Sequence, residues 1–231
     1  MSQTIFDLYI YCMLTIMQKA MNFVTLHYAI VRLSCRGIGY MSLINDYIKN
    51  IIQLIFAPSR GWEDLARSDE RHENEEAVLV YNRCFLPFAV VCAFSSFIRM
   101  LYSGGPDFLQ ALQAMLITFI SLFLASQISR YGFMMYLPRL IKPGTTLRWG
   151  RAVNMIIYCL TFLGLITFIA NLIKVRIAIL NFLPFYGVFI IWKGWKYLGI
   201  EEKNEGVFMI LATALILGSA YLISFILSTL L

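Results

Sequence analysis

The chain has 231 residues, 60% of them hydrophobic and 14% charged, with a mean hydropathy of +0.72. Soluble domains run near about 45–50% apolar and about 25% charged, so a soluble fold of this size could not hide its apolar surface. The same composition excludes disorder, a collagen-like repeat and a disulfide scaffold, and it points to a polytopic membrane protein.

The formal net charge is +6, which in a membrane protein reads as a topology signal. No basic–aromatic stripe suggests nucleic acid as a partner. The cysteines, Cys12, Cys35, Cys84, Cys92 and Cys159, form no C-x-x-C pair and read as buried apolar thiols. The two histidines, His27 and His72, lie too far apart in sequence to suggest a metal site.

In chain order, residues 1–40 read as an amino-terminal extension of doubtful status. Its apolar run from Ile5 to Met17 is interrupted by Asp7, lacks a basic stretch before it and so makes a poor signal peptide. Met41 opens what reads as an ordinary protein start. From Leu43 to Phe56, apolar residues recur at i, i+3, i+4 and i+7, with Asn45, Asp46, Lys49, Asn50 and Gln53 opposite. This predicts an amphipathic helix, lying either in the membrane interface or against a helical bundle. Ala57-Pro58-Ser59-Arg60-Gly61 is expected to break it, and Trp62 is expected as an interfacial anchor. Residues 63–76 are rich in acids, among them Glu70, Glu73, Glu75 and Glu76. They read as a solvated helix face or as a docking surface for a basic partner.

Five apolar spans follow, at about 80–102, 107–129, 152–173, 177–192 and 206–231. The fourth is short: 16 residues from Ile177 to Trp192 give only ~24 Å of helix against a hydrocarbon core of about 30 Å. Trp192 and Trp195 are expected as interfacial anchors for it, while Pro184 and Gly187 are expected to kink or loosen it. Asn154 and Asn171 on the third span and Asn181 on the fourth are the main intramembrane polar groups. They read as interhelical glue, or, for Asn171 and Asn181, as a polar lining. Ser121/Ala125 and Ala214/Gly218 are small-xxx-small pairs suited to close packing.

Lys and Arg number 12 over the segment from Arg60 to Arg83, between spans two and three and between spans four and five, but only 3 in the connections between spans one and two and between spans three and four. By the positive-inside bias the amino-terminal region is cytoplasmic and the carboxyl terminus is outside. The domains read as 1–40, the extension; 41–78, the amphipathic helix and acidic linker; and 79–231, a five-helix membrane domain. No H-E-x-x-H, G-x-S-x-G or P-loop motif is present, so no catalytic, metal-binding or cofactor-binding residues are expected.

Three segments carry a family resemblance: Phe56-Ala57-Pro58-Ser59-Arg60-Gly61-Trp62-Glu63-Asp64-Leu65, then Tyr81 through Leu86-Pro87-Phe88, then Leu183-Pro184-Phe185-Tyr186-Gly187-Val188 through Trp192-Lys193-Gly194-Trp195. Over about residues 42–231 the pattern resembles the short prokaryotic members of the Yip1 family. That resemblance implies five transmembrane helices, a cytoplasmic amino-terminal segment and residence in a bacterial inner membrane. It carries over no catalytic residue. The longer cytoplasmic region of the eukaryotic members, with its Asp-Leu-Tyr-Gly-Pro-like motif, is missing here, so GTPase binding is not inferred. The expected function is a non-enzymatic scaffold or partner-binding factor in contact with the lipid bilayer and with a membrane-protein partner or a second copy. A transporter or lipid-handling protein is the alternative.

Overall fold

The computed structural model describes residues 38–68, 73–102, 108–142, 148–173 and 182–230; the expectations for residues 1–37, for Glu70 and for Asn181 lie outside them. The chain divides into two units, Met1–Leu43 and Ile44–Leu231. Of the first, only residues 38–43 are described, as the opening of a helix.

Among the described residues every regular element is helical, and the one extended pairing is an isolated antiparallel bridge between Ile141 and Ile200. Helix α1 is Ile38–Phe56 and α2 is Pro58–Ser68. The break expected over residues 57–61 therefore shrinks to Ala57. Pro58 opens α2, where its fixed φ suits the first turn and its missing N–H leaves no donor wanting. The Gly61 N–H then bonds the Ala57 carbonyl at 2.8 Å. A Cβ at Gly61 would stand 2.9 Å from Leu54 Cδ2 and 3.1 Å from Leu54 Cα, so glycine permits α2 to fold back this closely on α1.

The first long helical run joins α3 (Glu73–Val80), a π turn (Tyr81–Phe85) and α4 (Leu86–Tyr102). The π turn lies just before Pro87, whose ring cannot share a normal turn with the carbonyl four residues back. Next come α5 (Phe108–Tyr136) and α6 (Trp149–Leu172), then the short α7 (Leu183–Lys193). The last run joins α8 (Glu205–Thr213), a second π turn (Ala214–Gly218) and α9 (Ser219–Leu230).

Four segments are long and apolar enough to cross a membrane: Ala77–Met100, Phe108–Arg139, Trp149–Leu172 and Glu202–Leu230. The 24 residues of the third span ~36 Å, enough for a hydrocarbon core of about 30 Å. The third is the central helix: 72% of its apolar window is buried, against 22% for the second and the last. The middle of the bundle is a cluster of Ala89, Cys92 and Leu122, with Phe88, Phe119 and Phe168 packed around it. Cys92 donates to the Gly164 carbonyl at 3.3 Å, and Cys84, Cys92 and Cys159 are all free and buried, as expected of small apolar thiols.

Neighbouring long helices alternate in direction. On α4 and α5, Ser96 meets Thr118 and Phe97 meets Phe108, while Tyr81 meets Ser126 at the other end. On α5 and the last run, Phe133 meets Phe208 and Ser129 meets Leu215. The second π turn has a use here: the Leu215 carbonyl lies within it and accepts the Ser129 hydroxyl at 2.7 Å. A Cβ at Gly132 would stand 2.5 Å from Leu215 Cδ1, so α5 and the last run touch at a glycine. The expected small-xxx-small pairs divide. Ser121 and Ala125 are buried in the bundle, whereas Ala214 and Gly218 are exposed.

Gly132→Ala is expected to destabilise the protein by about 1–3 kcal/mol through overpacking. The double variant Gly132→Ala/Leu215→Ala should recover part of that loss. Thermal unfolding in detergent, run as a double-mutant cycle, checks the coupling.

Candidate functional site

Two assemblies of polar side chains stand out, one at each end of the bundle. The first joins α2 to the chain around residues 139–151 and 193–204, here called the basic end. Trp62 is buried at 2% exposure. Its indole N–H donates to the Ile190 carbonyl at 2.9 Å, and its ring lies 5.0 Å from that of Tyr197. The expectation of an interfacial anchor is thus corrected: Trp62 points into protein, because α2 folds back and α7 offers a carbonyl within reach. Arg151, near the start of α6, donates to the Tyr197 carbonyl at 3.3 Å and to the Ala66 carbonyl at 3.1 Å. Its guanidinium also lies 5.6 Å from the Tyr197 ring centroid. A planar fork can make both hydrogen bonds and the ring contact together; a lysine could not.

The two loops of this end are tied to each other. The Glu201 N–H donates to the Leu140 carbonyl at 3.1 Å, Lys142 N–H to the Gly199 carbonyl at 3.4 Å, and Asn204 Nδ2 to the Leu140 carbonyl at 3.2 Å. Gly199 has φ of 71°, a left-handed conformation that favours glycine. Above this framework Arg60, Glu63, Asp64, Arg67, Arg139, Lys142, Arg148 and Lys196 are exposed.

Trp192 and Trp195 are half-buried. Trp192 donates its indole N–H to the Glu205 carboxylate, and Lys193 Nζ stands 4.1 Å over its ring; Lys196 Nζ stands 5.4 Å over Trp195. Pro184 lies in the first turn of α7, so it starts the helix and does not kink it. Gly187 is buried against Leu217 and Phe162, where a Cβ would stand 3.4 Å from each.

The second assembly lies near the opposite end. Asn171 Nδ2 donates to Ser95 Oγ at 3.0 Å and Ser96 Oγ at 2.9 Å, and Arg99 donates to Asn171 Oδ1 at 3.2 Å. Ser95 Oγ donates to the Cys92 carbonyl at 2.6 Å, and Thr118 donates to the Ala114 carbonyl at 2.9 Å while meeting Ser96 at 2.8 Å. Asn171 is buried and both its donor hydrogens and its oxygen are engaged. The arrangement is an interhelical hydrogen-bond knot across α4, α5 and α6.

A third group holds α1. Thr161 donates to the Ile157 carbonyl at 2.8 Å, which leaves its oxygen to accept the hydrogen bond from the buried Tyr47 hydroxyl. Tyr47 also stacks on Tyr158 at 5.4 Å, Asn50 donates to the Tyr158 hydroxyl at 3.2 Å, and Tyr186 donates to the Ile55 carbonyl at 2.6 Å. Burial pushes the Tyr47 phenol well above its ordinary range, with the neighbouring Tyr158 adding to the effect and the Thr161 hydrogen bond opposing it.

Of the predicted acidic surface, the backbone of Glu73, Glu75 and Glu76 lies in α3. The predicted pairing of Asn171 with Asn181 lies outside the described residues, and those described hold no group of three His, Cys, Asp or Glu able to bind a metal. The residues that sequence reasoning passed over are Arg151, Tyr197, Ser95 and Ser96. Arg151 had one signal, a cation close to the start of an otherwise uncharged span. Comparison with family models, with curated proteins and with solved structures gives no match.

Replacing Arg151 with Lys removes the fork that holds α2. Amide exchange across residues 58–68 is expected to accelerate by about tenfold or more, with exchange in α6 unchanged. Asn171→Ala should cost about 1–2 kcal/mol, measured by steric-trap unfolding in bicelles. Because the folded pKa of Tyr47 is raised, its contribution to holding α1 is complete below the ordinary phenol pKa of about 10 and is lost as pH rises through the folded value. Alkaline titration should therefore release α1, and Tyr47→Phe should remove that pH dependence.

Proposed function

We propose that this chain is a five-crossing, non-enzymatic membrane protein of the Yip1 type, serving as a scaffold that binds a partner at its basic end. We place that end, with α1 and α2, in the cytoplasm of a bacterium, and the carboxyl terminus outside. The observation that carries the scaffold reading is the construction of the basic end. Loops that merely connect spans need no buried framework. Here α2 and two loops are fixed by Trp62, Arg151 and the Ile141–Ile200 bridge, and exposed charges of both signs sit on top.

The same bridge supports the fifth crossing. It holds residues near 200 at the end where α6 begins, while Leu172 lies ~35 Å along that helix. This favours a fifth crossing between Leu172 and Ile200. Its described part, α7, runs back along α6, with Gly187 against Phe162 and Gly194 against Met155. The eleven residues of α7 are too few to register as a span alone.

The transport or lipid-handling alternative draws on Asn171 as a polar lining. Saturation of Asn171 by Ser95, Ser96 and Arg99 weighs against that use.

Two experiments test the proposal. With other cysteines replaced, Lys142→Cys and Lys196→Cys should react with an impermeant maleimide only after the membrane is opened, and Ser228→Cys in intact cells. The reverse pattern would invert the topology; labelling of Lys142→Cys and Ser228→Cys from one side with Lys196→Cys from the other would remove the fifth crossing. Reversal of Glu70, Glu73, Glu75 and Glu76 to Lys should lower recovery of a stoichiometric partner from nanodiscs about tenfold or more. Unchanged recovery would remove the acidic segment from the interface.

A further inference from the structure

The first helical run and α5 meet at a polar seam within the membrane-crossing segments Ala77–Met100 and Phe108–Arg139. Gln127 Nε2 donates to the Tyr81 hydroxyl at 2.8 Å. Ser126 donates to the Phe123 carbonyl at 2.7 Å, which leaves the Tyr81 proton for Ser126 Oγ at 3.0 Å. These groups satisfy one another, and Arg130, one turn further along α5, is left over. Its guanidinium carbon stands 5.5 Å from the Tyr81 ring centroid. The ring attracts the charge but supplies no lone-pair acceptor for the N–H donors. Among the described residues no carboxylate or carbonyl accepts from Arg130. The 29 residues of α5 span ~44 Å, about 14 Å more than a hydrocarbon core of about 30 Å. Arg130 stands ~9 Å short of the Tyr136 end, close to the level where the core gives way. That end is the basic one, since Phe133 meets Phe208 near the start of the last run.

We infer that this seam binds a phospholipid with an anionic headgroup, its phosphate on the Arg130 guanidinium and an acyl chain descending along Phe123 and Ile120. A cation rooted in a crossing segment calls for a counter-charge, because low dielectric makes a lone charge costly. The planar fork of the guanidinium matches phosphate oxygens. A zwitterionic headgroup would bring its own cation beside Arg130, so an anionic one is preferred. The order in depth fits. Arg130, Gln127, Phe123 and Ile120 follow at spacings of three and four along one edge of α5, all half-buried. Each lies farther from the basic end than the last, the polar pair first and the apolar pair after. The first run forms the second wall. Tyr81 stands at the level of Arg130 and Gln127, and deeper the same two helices stay in contact through Ser96 with Thr118 and Phe97 with Phe108. Phe119 stacks on Phe123 at 6.2 Å and packs on the central cluster of the bundle, which holds the Phe123 ring in place. Leu124 and Ile128, 39% and 43% exposed, flank this edge. Lipid phosphates lie at the core boundary, so a lipid meets Arg130 without leaving the membrane. The inference rests on membrane placement and is independent of whether a partner binds the basic end.

The test uses the full chain in nanodiscs, with a bimane fluorophore on Leu124→Cys in a background where Cys12 and Cys35 are Ser. Quenching is compared for a minority of phosphatidylglycerol with brominated acyl chains and for the same minority of brominated phosphatidylcholine. Brominated phosphatidylglycerol should quench about fivefold more effectively. Bimane on Ile210→Cys, an exposed position of the last run, reads the general lipid shell and should show no preference. Arg130→Ala should equalise the two lipids at Leu124→Cys, and Arg130→Lys should keep most of the preference. Equal quenching in the parent would overturn the site without any change at Arg130. A preference that survives Arg130→Ala, a loss in Arg130→Lys as large as in Arg130→Ala, or an equal preference at Ile210→Cys would also overturn it. So would loss of the preference in millimolar inorganic phosphate at constant ionic strength, which would make the ligand a soluble anion. Partner recovery with the Glu70–Glu76 reversal reads the scaffold proposal separately.

Discussion

One guanidinium organises the basic end of this protein. Arg151 sits where the most buried helix begins, and from there it bonds a carbonyl of α2 and a carbonyl of the loop after α7. Each carbonyl lies near the end of its helix or in a turn, where helical hydrogen bonding leaves acceptors wanting. A charged donor is worth about 1.5–3 kcal/mol per such bond in sheltered surroundings. Trp62 and Tyr197 complete the joint by stacking beside it. Remove the guanidinium and two acceptors lose their donor at once, so α2 and the 193–200 loop would loosen together.

Because both ends of α6 carry such pins, its central turns can be left to apolar packing. Asn154, Tyr158 and Thr161 are the buried side chains with a polar oxygen between the Arg151 joint and Asn171. Thr161 is engaged by Tyr47. Apolar contact alone does not fix helices against one another in lipid, since the acyl chains are equally apolar. Register is set by hydrogen bonds and by close approach at small residues. Gly164 against Phe88, Gly132 against Leu215 and Gly187 against Phe162 supply the approach. The two π turns supply something different: a widened turn alters which carbonyls its helix can satisfy, and the Leu215 carbonyl is taken by Ser129.

Much of this architecture is written in hydropathy. Four of the five apolar runs are long helices, and the third, free of charge from Ala152 to Ile173, is the buried one. Boundaries moved where polar residues continue a helix past its apolar stretch: α5 extends to Tyr136, beyond Arg130. What the sequence hides is partner choice. Trp62 has the signature of an interfacial anchor, yet a fold-back at Ala57 and Gly61 turns it inward. Pro184 resembles a kink in a continuous span, yet it stands at a helix start. Asn171 reads as glue or as lining; only the placement of Ser95, Ser96 and Arg99 separates the two, and that depends on α4 and α6 running side by side. Such contacts join residues 72 to 76 positions apart, beyond the reach of periodicity.

The two faces of α1 follow from the same logic. A helix with one apolar stripe must choose between bundle and lipid, and the sequence pattern left both open. Here the tyrosine-bearing face takes the bundle because it has hydrogen-bond partners there: Thr161 for Tyr47, Tyr158 for Asn50, and Tyr186 for the Ile55 carbonyl. The aliphatic stripe has no such partners and makes no such demand. Polar specificity thus decides which face the bundle receives, and the residual apolar face of Ile48, Ile52 and Phe56 is left exposed. On this argument a substitution that removes hydrogen bonds from the docked face, such as Asn50→Leu, weakens the preference between the faces more than it weakens the helix itself.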